Sequence, residues 1–203
     1  MIIKMSCFED LGLAIVFDFY TGLRIGELCG LKWGDFDFEK RSFKVQRTLQ
    51  RVQKKKENIQ PDSPRTEIVN GELKTKNSYR EIPIPNAIFD ELLNLKKQQE
   101  KEKELYGELY QDMGYVFSNK CGGFVEPSYL RSVYNRILKK SGIRHLNFHT
   151  IRHTFATRAI EAGAPAKVVS EILGHSSIQI TMDLYCHPSL DAKRDVIENR
   201  SLL

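Results

Sequence analysis

His149-Thr150-Ile151-Arg152-His153-Thr154-Phe155-Ala156-Thr157 is the stretch whose reading decides the rest of the chain. Taken as a helix that begins at His149 and ends at Gly163, it places His149 and Arg152 one turn apart on one face, because an α-helix turns every 3.6 residues. Gly142, Gly163 and Gly174 stand where helix-ending glycines belong, so Ser128 to Lys140, Pro165 to Leu173 and Ile178 to Tyr185 read as neighbouring helices. Pro165 to Leu173 then delivers His175, and Ile178 to Tyr185 delivers Tyr185. Two imidazoles, a guanidinium and a phenol together make an anion-handling site with a nucleophile. His149 and His153 also have the i, i+4 spacing of a zinc-binding helix. The glutamate of H-E-x-x-H is missing, however, and Arg152 would put a fixed positive charge beside the cation. A guanidinium fork suits phosphate oxygens instead, so no metal is expected.

The 203 residues suffice for one domain with an ordinary core. With 41% apolar and 28% charged residues the composition is that of a soluble protein. The longest apolar run, Leu11 to Phe19, is interrupted by Gly12 and Asp18 and falls short of the ~20 residues of a membrane span. Met1 to Lys4 leads into a segment with no small-residue cleavage site, so no signal peptide is expected. Cys7, Cys29, Cys121 and Cys186 are scattered without C-x-x-C spacing, which reads as reduced thiols of a cytoplasmic protein.

The net charge of +5 is unevenly spread. Residues 41 to 80 hold 11 Lys/Arg against 4 acids, a balance of +7, and the rest of the chain stands at −2. A surface facing a polyanion needs such a concentration, although a solvated loop around Lys54-Lys55-Lys56 would produce it equally well.

Toward the N-terminus, Ser6-Cys7-Phe8-Glu9 has capping-box spacing and predicts a buried helix to Tyr20. Thr21-Gly22 interrupts it, and a shorter helix from Leu23 to Cys29 would hold Arg24 in its first turn, a poor place for a cation. Beyond Trp33-Gly34-Asp35 the period changes to two: Phe43, Val45 and Arg47 predict one strand, Ile68-Val69 another, and Arg80 to Pro85 a third with prolines marking it as an edge. Asn70-Gly71 predicts a tight turn between the last two, and Lys54 to Pro64 a polar loop. Ile88 to Tyr110 predicts an exposed charged helix broken near Gly107, and Asp191 to Asn199 a last helical piece. The fold class is therefore α+β: a mainly α-helical domain with a small antiparallel sheet of about three strands in the N-terminal third.

Five blocks stand in order: Thr21-Gly22-Leu23-Arg24-Ile25-Gly26-Glu27-Leu28, Leu73-Lys74-Thr75-Lys76-Asn77-Ser78-Tyr79-Arg80, His149 to Thr157, Leu173-Gly174-His175-Ser176-Ser177, and Thr181-Met182-Asp183-Leu184-Tyr185. Together they closely resemble the tyrosine recombinases of the phage-integrase family, from about Leu11 to Pro188. H-x-x-R alone is a weak signal, whereas five blocks in family order are specific. The Lys-Thr-Lys-Asn-Ser block and Tyr-Cys-His look most like integrases of phages and conjugative transposons of Gram-positive bacteria.

The resemblance implies metal-independent cleavage and rejoining of double-stranded DNA, with no cofactor. Arg24 and Arg152 would clamp the scissile phosphate, Tyr185 would be the nucleophile that forms a 3′-phosphotyrosyl link, and His149 its base. Lys74 would be the general acid, with Lys76 as competitor, and His175 would hydrogen-bond the phosphate. Lys54, Lys55, Lys76 and Arg80 would face DNA. Lys74 lies 50 positions after Arg24, a longer gap than in many relatives, so Gln50 to Asn70 reads as an enlarged hairpin loop. The resemblance also implies a single catalytic domain over 1–203 without the N-terminal DNA-binding domains of such integrases, a C-terminal tail at 189–203, a monomer without DNA and a tetramer on it. A non-catalytic DNA-binding relative and a type IB topoisomerase-like relaxase are the competing readings.

Overall fold

A computed structural model of the protein describes residues 6, 9–54, 65–72, 78–185, 190, 194 and 197–198, with the backbone alone for Glu72, Leu184 and Tyr185. Helices α1 (Gly12–Thr21) and α2 (Ile25–Gly30) come first. Five short strands follow: β1 (Phe36–Asp37), β2 (Ser42–Val45), β3 (Arg47–Gln53), β4 (Thr66–Glu72) and β5 (Arg80–Pro83). The rest is helical: α3 (Phe89–Tyr106), α4 (Pro127–Lys140), α5 (Thr150–Glu161), α6 (Ala166–Leu173) and α7 (Ile178–Tyr185). The α+β expectation holds. Most of the expected piece from Asp191 to Asn199 lies outside the described residues.

α1 starts later than its capping signal suggested. Leu11 precedes it in a left-handed conformation, φ 63°, and the Glu9 carboxylate is taken by Arg136 and Lys140 of α4. Glu9 thus serves two long-range ion pairs to α4. α2 likewise begins after Arg24, which is its N-cap in extended conformation (φ −74°, ψ 142°) and not a first-turn residue.

The strands sort into two sheets where one was expected. β1, β2 and β5 form an antiparallel sheet in that order, with β5 at an edge, as its prolines require. β3 and β4 form a separate antiparallel ribbon. The division falls at Gln46, because Val45 pairs with Arg80 of β5 whereas Arg47 pairs with Glu72 of β4. Asn70-Gly71 is not a turn. Leu49 faces Asn70 and Thr48 faces Gly71, so the ladder runs straight through both. Pairing along seven residues outweighs the local preference of two, and beyond Gln53 and Thr66 the Lys54 N–H still donates to the Arg65 carbonyl at 2.9 Å. The expected loop from Gln50 to Asn70 is therefore strand at both ends.

Phe17 of α1 anchors the main core, with its ring centroid 5.2 Å from Phe43, 5.6 Å from Phe117 and 6.3 Å from Phe36. Burying a ring of this size contributes about 2–3 kcal/mol. A smaller cluster of Ala156, Val169 and Leu173, with Phe155 against it, joins α5 to α6. Gly22 lies against this cluster. Its φ is 61°, and a Cβ there would come within 2.6 Å of the Phe155 ring and 3.0 Å of Leu173. Only glycine satisfies both the left-handed backbone and the close approach, and this seats the end of α1 beside the ends of α5 and α6.

Candidate active site

The site is built on the chain turn after α1. The Gly22 N–H donates to the Asp18 carbonyl at 2.8 Å and closes that helix, and two residues later Arg24 begins the next. A cation at a helix start is unfavourable by itself. Glu27, 1% exposed, compensates: its Oε2 accepts the Arg24 backbone N–H at 3.1 Å and its Oε1 accepts Arg24 Nη1 at 2.7 Å. Burial works to raise the Glu27 pKa, but the Arg80 and Arg24 guanidiniums prevail and hold it below the usual carboxylate value. The other arm of Arg24 donates to the Gly174 carbonyl at 3.2 Å, and the side chain keeps 43% of its surface open.

Arg152 lies in the first turn of α5 and is 2% exposed. Its Nη1 donates to the Gly22 carbonyl at 3.0 Å and its Nη2 to the Leu173 carbonyl at 2.6 Å. Those bonds join three segments that are remote in sequence. His149, the N-cap of α5, is exposed and meets the His153 ring edge-to-face at 4.7 Å. The desolvation its ring does undergo, then the charges of His153, Arg152 and Arg24, lower its pKa. His153 thus enters as a neighbour of His149.

Gly174 ends α6 in the left-handed conformation, φ 64°, which turns the chain so that His175 follows at once. The His175 Nδ1 lies 2.8 Å from the hydroxyl of Thr181, which is fully buried. Burial, then Arg152, Arg24, Arg80 and His149, depress the His175 pKa to about 4. The imidazole is neutral at neutral pH. Tyr185 ends α7 about one turn after Thr181.

Arg24, His149, Arg152 and His175 are thus brought together by the fold. Lys55, Lys74 and Lys76 lie outside the described residues, as does the side chain of Tyr185. Lys54 is half-buried at the end of the β3–β4 ribbon remote from β2 and β5, where its N–H donates to the Arg65 carbonyl. Arg80, expected to face DNA, instead points inward. It is 7% exposed, its Nη2 donates to Glu27 at 2.8 Å, its Nη1 to the Ser78 carbonyl at 3.0 Å, and its Nε to the Ile172 carbonyl. Pairing with the buried Glu27 carboxylate and donation to the Ile172 carbonyl compensate this guanidinium for the water it loses.

Three site features were not read from the sequence. The role of Glu27 was detectable, since it stands three residues after Arg24, the spacing of a carboxylate that caps a helix start. Thr181 and Asp18 gave no local signal. Asp18 is fully buried in α1, and among the described residues neither of its oxygens accepts a hydrogen bond of good geometry, although the Leu23 backbone N–H favours its ionised form. Burial pushes its pKa well above the usual value against the pull of Arg152.

Comparison with known proteins gives this geometry a lineage. A tyrosine recombinase XerC-like protein of Caldanaerobacter subterraneus subsp. tengcongensis is 40% identical over 183 residues, covering 89% of this chain and 46% of that protein. The transposase from transposon Tn916 of Enterococcus faecalis is 27% identical over 178 residues, covering 85% of this chain and 41% of that one. Among solved structures, the Tn1549 transposon integrase in complex with a circular intermediate DNA superposes with a TM-score of 0.75 at 25% identity, over 98% of this chain and 62% of that one. The chain spans about half the length of the curated relatives it matches. The model of the phage integrase family matches residues 10–191, nearly the whole of the sequence, and the chain belongs to that family.

Proposed function

We propose that the chain is the catalytic domain of a site-specific recombinase, acting on double-stranded DNA in the bacterial cytoplasm by a tyrosine nucleophile and no metal. The observation that carries this reading is the convergence of Arg24, Arg152, His149 and His175 around the end of α6, with Tyr185 one turn beyond the residue that holds His175. That a Tn1549 integrase was solved with DNA supports the same class of partner here.

The steps follow from the groups. Arg24 and Arg152 neutralise the non-bridging oxygens of a phosphodiester as charge builds on them. The Tyr185 oxygen attacks phosphorus while its proton passes to His149, which is neutral because its pKa is lowered. A phosphotyrosyl bond to the DNA 3′ end forms, the bond to the 5′-oxygen breaks, and Lys74 gives that oxygen a proton. His175, neutral and oriented by Thr181, hydrogen-bonds the phosphate. Attack by a 5′-hydroxyl of a partner strand reverses each transfer and reseals the DNA. The domain is a monomer alone and assembles four protomers on two DNA sites within a longer protein.

The test is a duplex nicked close to the cleaved bond, which loses its short leaving strand and traps the covalent complex. The wild-type chain accumulates an SDS-resistant protein–DNA adduct in the presence of a chelator, and Tyr185→Phe accumulates none. Adduct from Tyr185→Phe, or cleavage abolished by the chelator, would overturn the reading.

A further inference from the structure

Two arginines share the Glu27 carboxylate, and they are not equivalent. Arg24 is 43% exposed and Arg80 only 7%. Oε1 of Glu27 faces Arg24 Nη1, whereas Oε2 serves both Arg80 Nη2 and the Arg24 backbone N–H. One buried carboxylate between two guanidiniums leaves a net positive charge, and that charge sits on the exposed member. Without Arg80 the cluster is neutral, and Arg24, the remaining cation, is drawn into a two-pronged pair with Glu27 and away from solvent.

The same side chain also secures the end of α6. The carbonyls of Ile172, Leu173 and Gly174 each accept from a different arginine, Arg80, Arg152 and Arg24 in that order. A helix C-terminus has orphan carbonyls and a partial negative charge, so guanidiniums suit it well. Of the three, only Arg80 comes from the sheet: it opens β5 and pairs with Val45 of β2. His175 follows directly on this anchored turn.

We infer that Arg80 is a positioning residue for the cleavage reaction: by neutralising Glu27 and tying the end of α6 to β5, it keeps Arg24 directed at the scissile phosphate and His175 beside it. The inference rests on the strand-cleavage reading above. In this assignment Arg80 acts through Glu27 and Ile172 and not on the substrate: all three of its guanidinium nitrogens donate within the protein.

The test uses nicked duplexes tiled across the DNA flanking the chain's own coding sequence. The duplex on which the wild type forms most adduct is remade with a methylphosphonate, uncharged at phosphorus, at the cleaved position. Arg80→Met slows adduct formation at least ~10-fold on the phosphate, comparable with losing one charge-stabilising contact, and less than ~3-fold on the methylphosphonate, which needs less from Arg24. Thermal melting shows whether the variant is folded. If Arg80→Met is not, Arg80→Lys takes its place: it keeps the charge beside Glu27, loses the fork to Ile172, and gives a smaller deficit that also vanishes on the methylphosphonate. An equal deficit on both substrates would make Arg80 merely structural and overturn the inference. A wild type that forms no adduct on any duplex would overturn the proposed function, and the inference with it.

Discussion

Arg152 donates to the carbonyl of Gly22 at 3.0 Å across 130 positions of sequence, and the same glycine leaves no room for a side chain beneath Phe155. The backbone turn that lets α1 reach α5 is therefore also one of the acceptors that hold the guanidinium. Gly22→Ala is expected to destabilise the fold on two counts, by ~1–2 kcal/mol for a left-handed non-glycine residue and ~1–3 kcal/mol for overpacking against Phe155 and Leu173. Urea unfolding measures the sum. Adduct formation should fall further than stability does, because Arg152 moves with its acceptor. A variant as stable and as active as the wild type would contradict this account of the turn.

Thr181 holds the His175 ring through one hydroxyl at 2.8 Å. Thr181→Val keeps the volume and removes that oxygen, leaving Nδ1 without its partner in a partly buried place, at a cost of ~1–3 kcal/mol. Adduct formation is expected to slow about 10-fold or more, as ~1.4 kcal/mol is a factor of ten, with DNA affinity little changed. Binding and single-turnover cleavage, measured separately, check it.

His175 also sets a pH dependence of stability. Its folded pKa, about 4, lies below the ordinary histidine value of 6.5, so the native state resists a proton that the unfolded chain accepts. The contribution is fully present above pH 6.5 and is lost as pH falls toward 4. His149, lowered in the same direction, adds to the trend. Thermal melting at pH 7.5 and pH 5 should show a fall in Tm that is smaller in His175→Gln. Equal falls in the two proteins would rule His175 out as a source.

Asp18 has the opposite sign. Its folded pKa is raised by burial, so the folded state favours the protonated acid, and stability is lost as pH rises from the unfolded value of 3.8 toward the folded one. Asp18→Asn, nearly isosteric and never charged, is expected to melt higher than the wild type at pH 8 by the equivalent of ~1–3 kcal/mol, the usual size of an unsatisfied buried group. The advantage should shrink toward pH 5. A variant less stable than the wild type at pH 8 would mean that the ionised carboxylate supports Arg152.

Periodicity and punctuation carry most of the helical architecture. Gly163 and Gly174 follow α5 and α6 as helix-ending glycines should, and the Gly107 break falls where α3 stops. The five blocks mark Arg24, His149, Arg152 and His175 as site residues by their sequence pattern alone. Each of these signals is local: a backbone preference, a period, or a residue pattern a few positions long. Where local and long-range preferences conflict, the sequence misleads. Asn70-Gly71 looks like a turn, but a seven-residue ladder outweighs it, and Ser6 to Glu9 looks like a cap, but Glu9 finds two cations on α4.

Arg80 marks the boundary most clearly. By sequence it is one more basic residue in a positively charged stretch, and residue type alone favours an outward guanidinium. Whether it faces solvent or Glu27 depends on how β5, α2 and α6 meet, and no residue near Arg80 in sequence reports on that meeting. The sequence by itself determined which groups are present and the local elements that carry them. The tertiary structure alone decided which cation is exposed and which is neutralised, because desolvation and pairing energies depend on neighbours about 50 to 150 positions away.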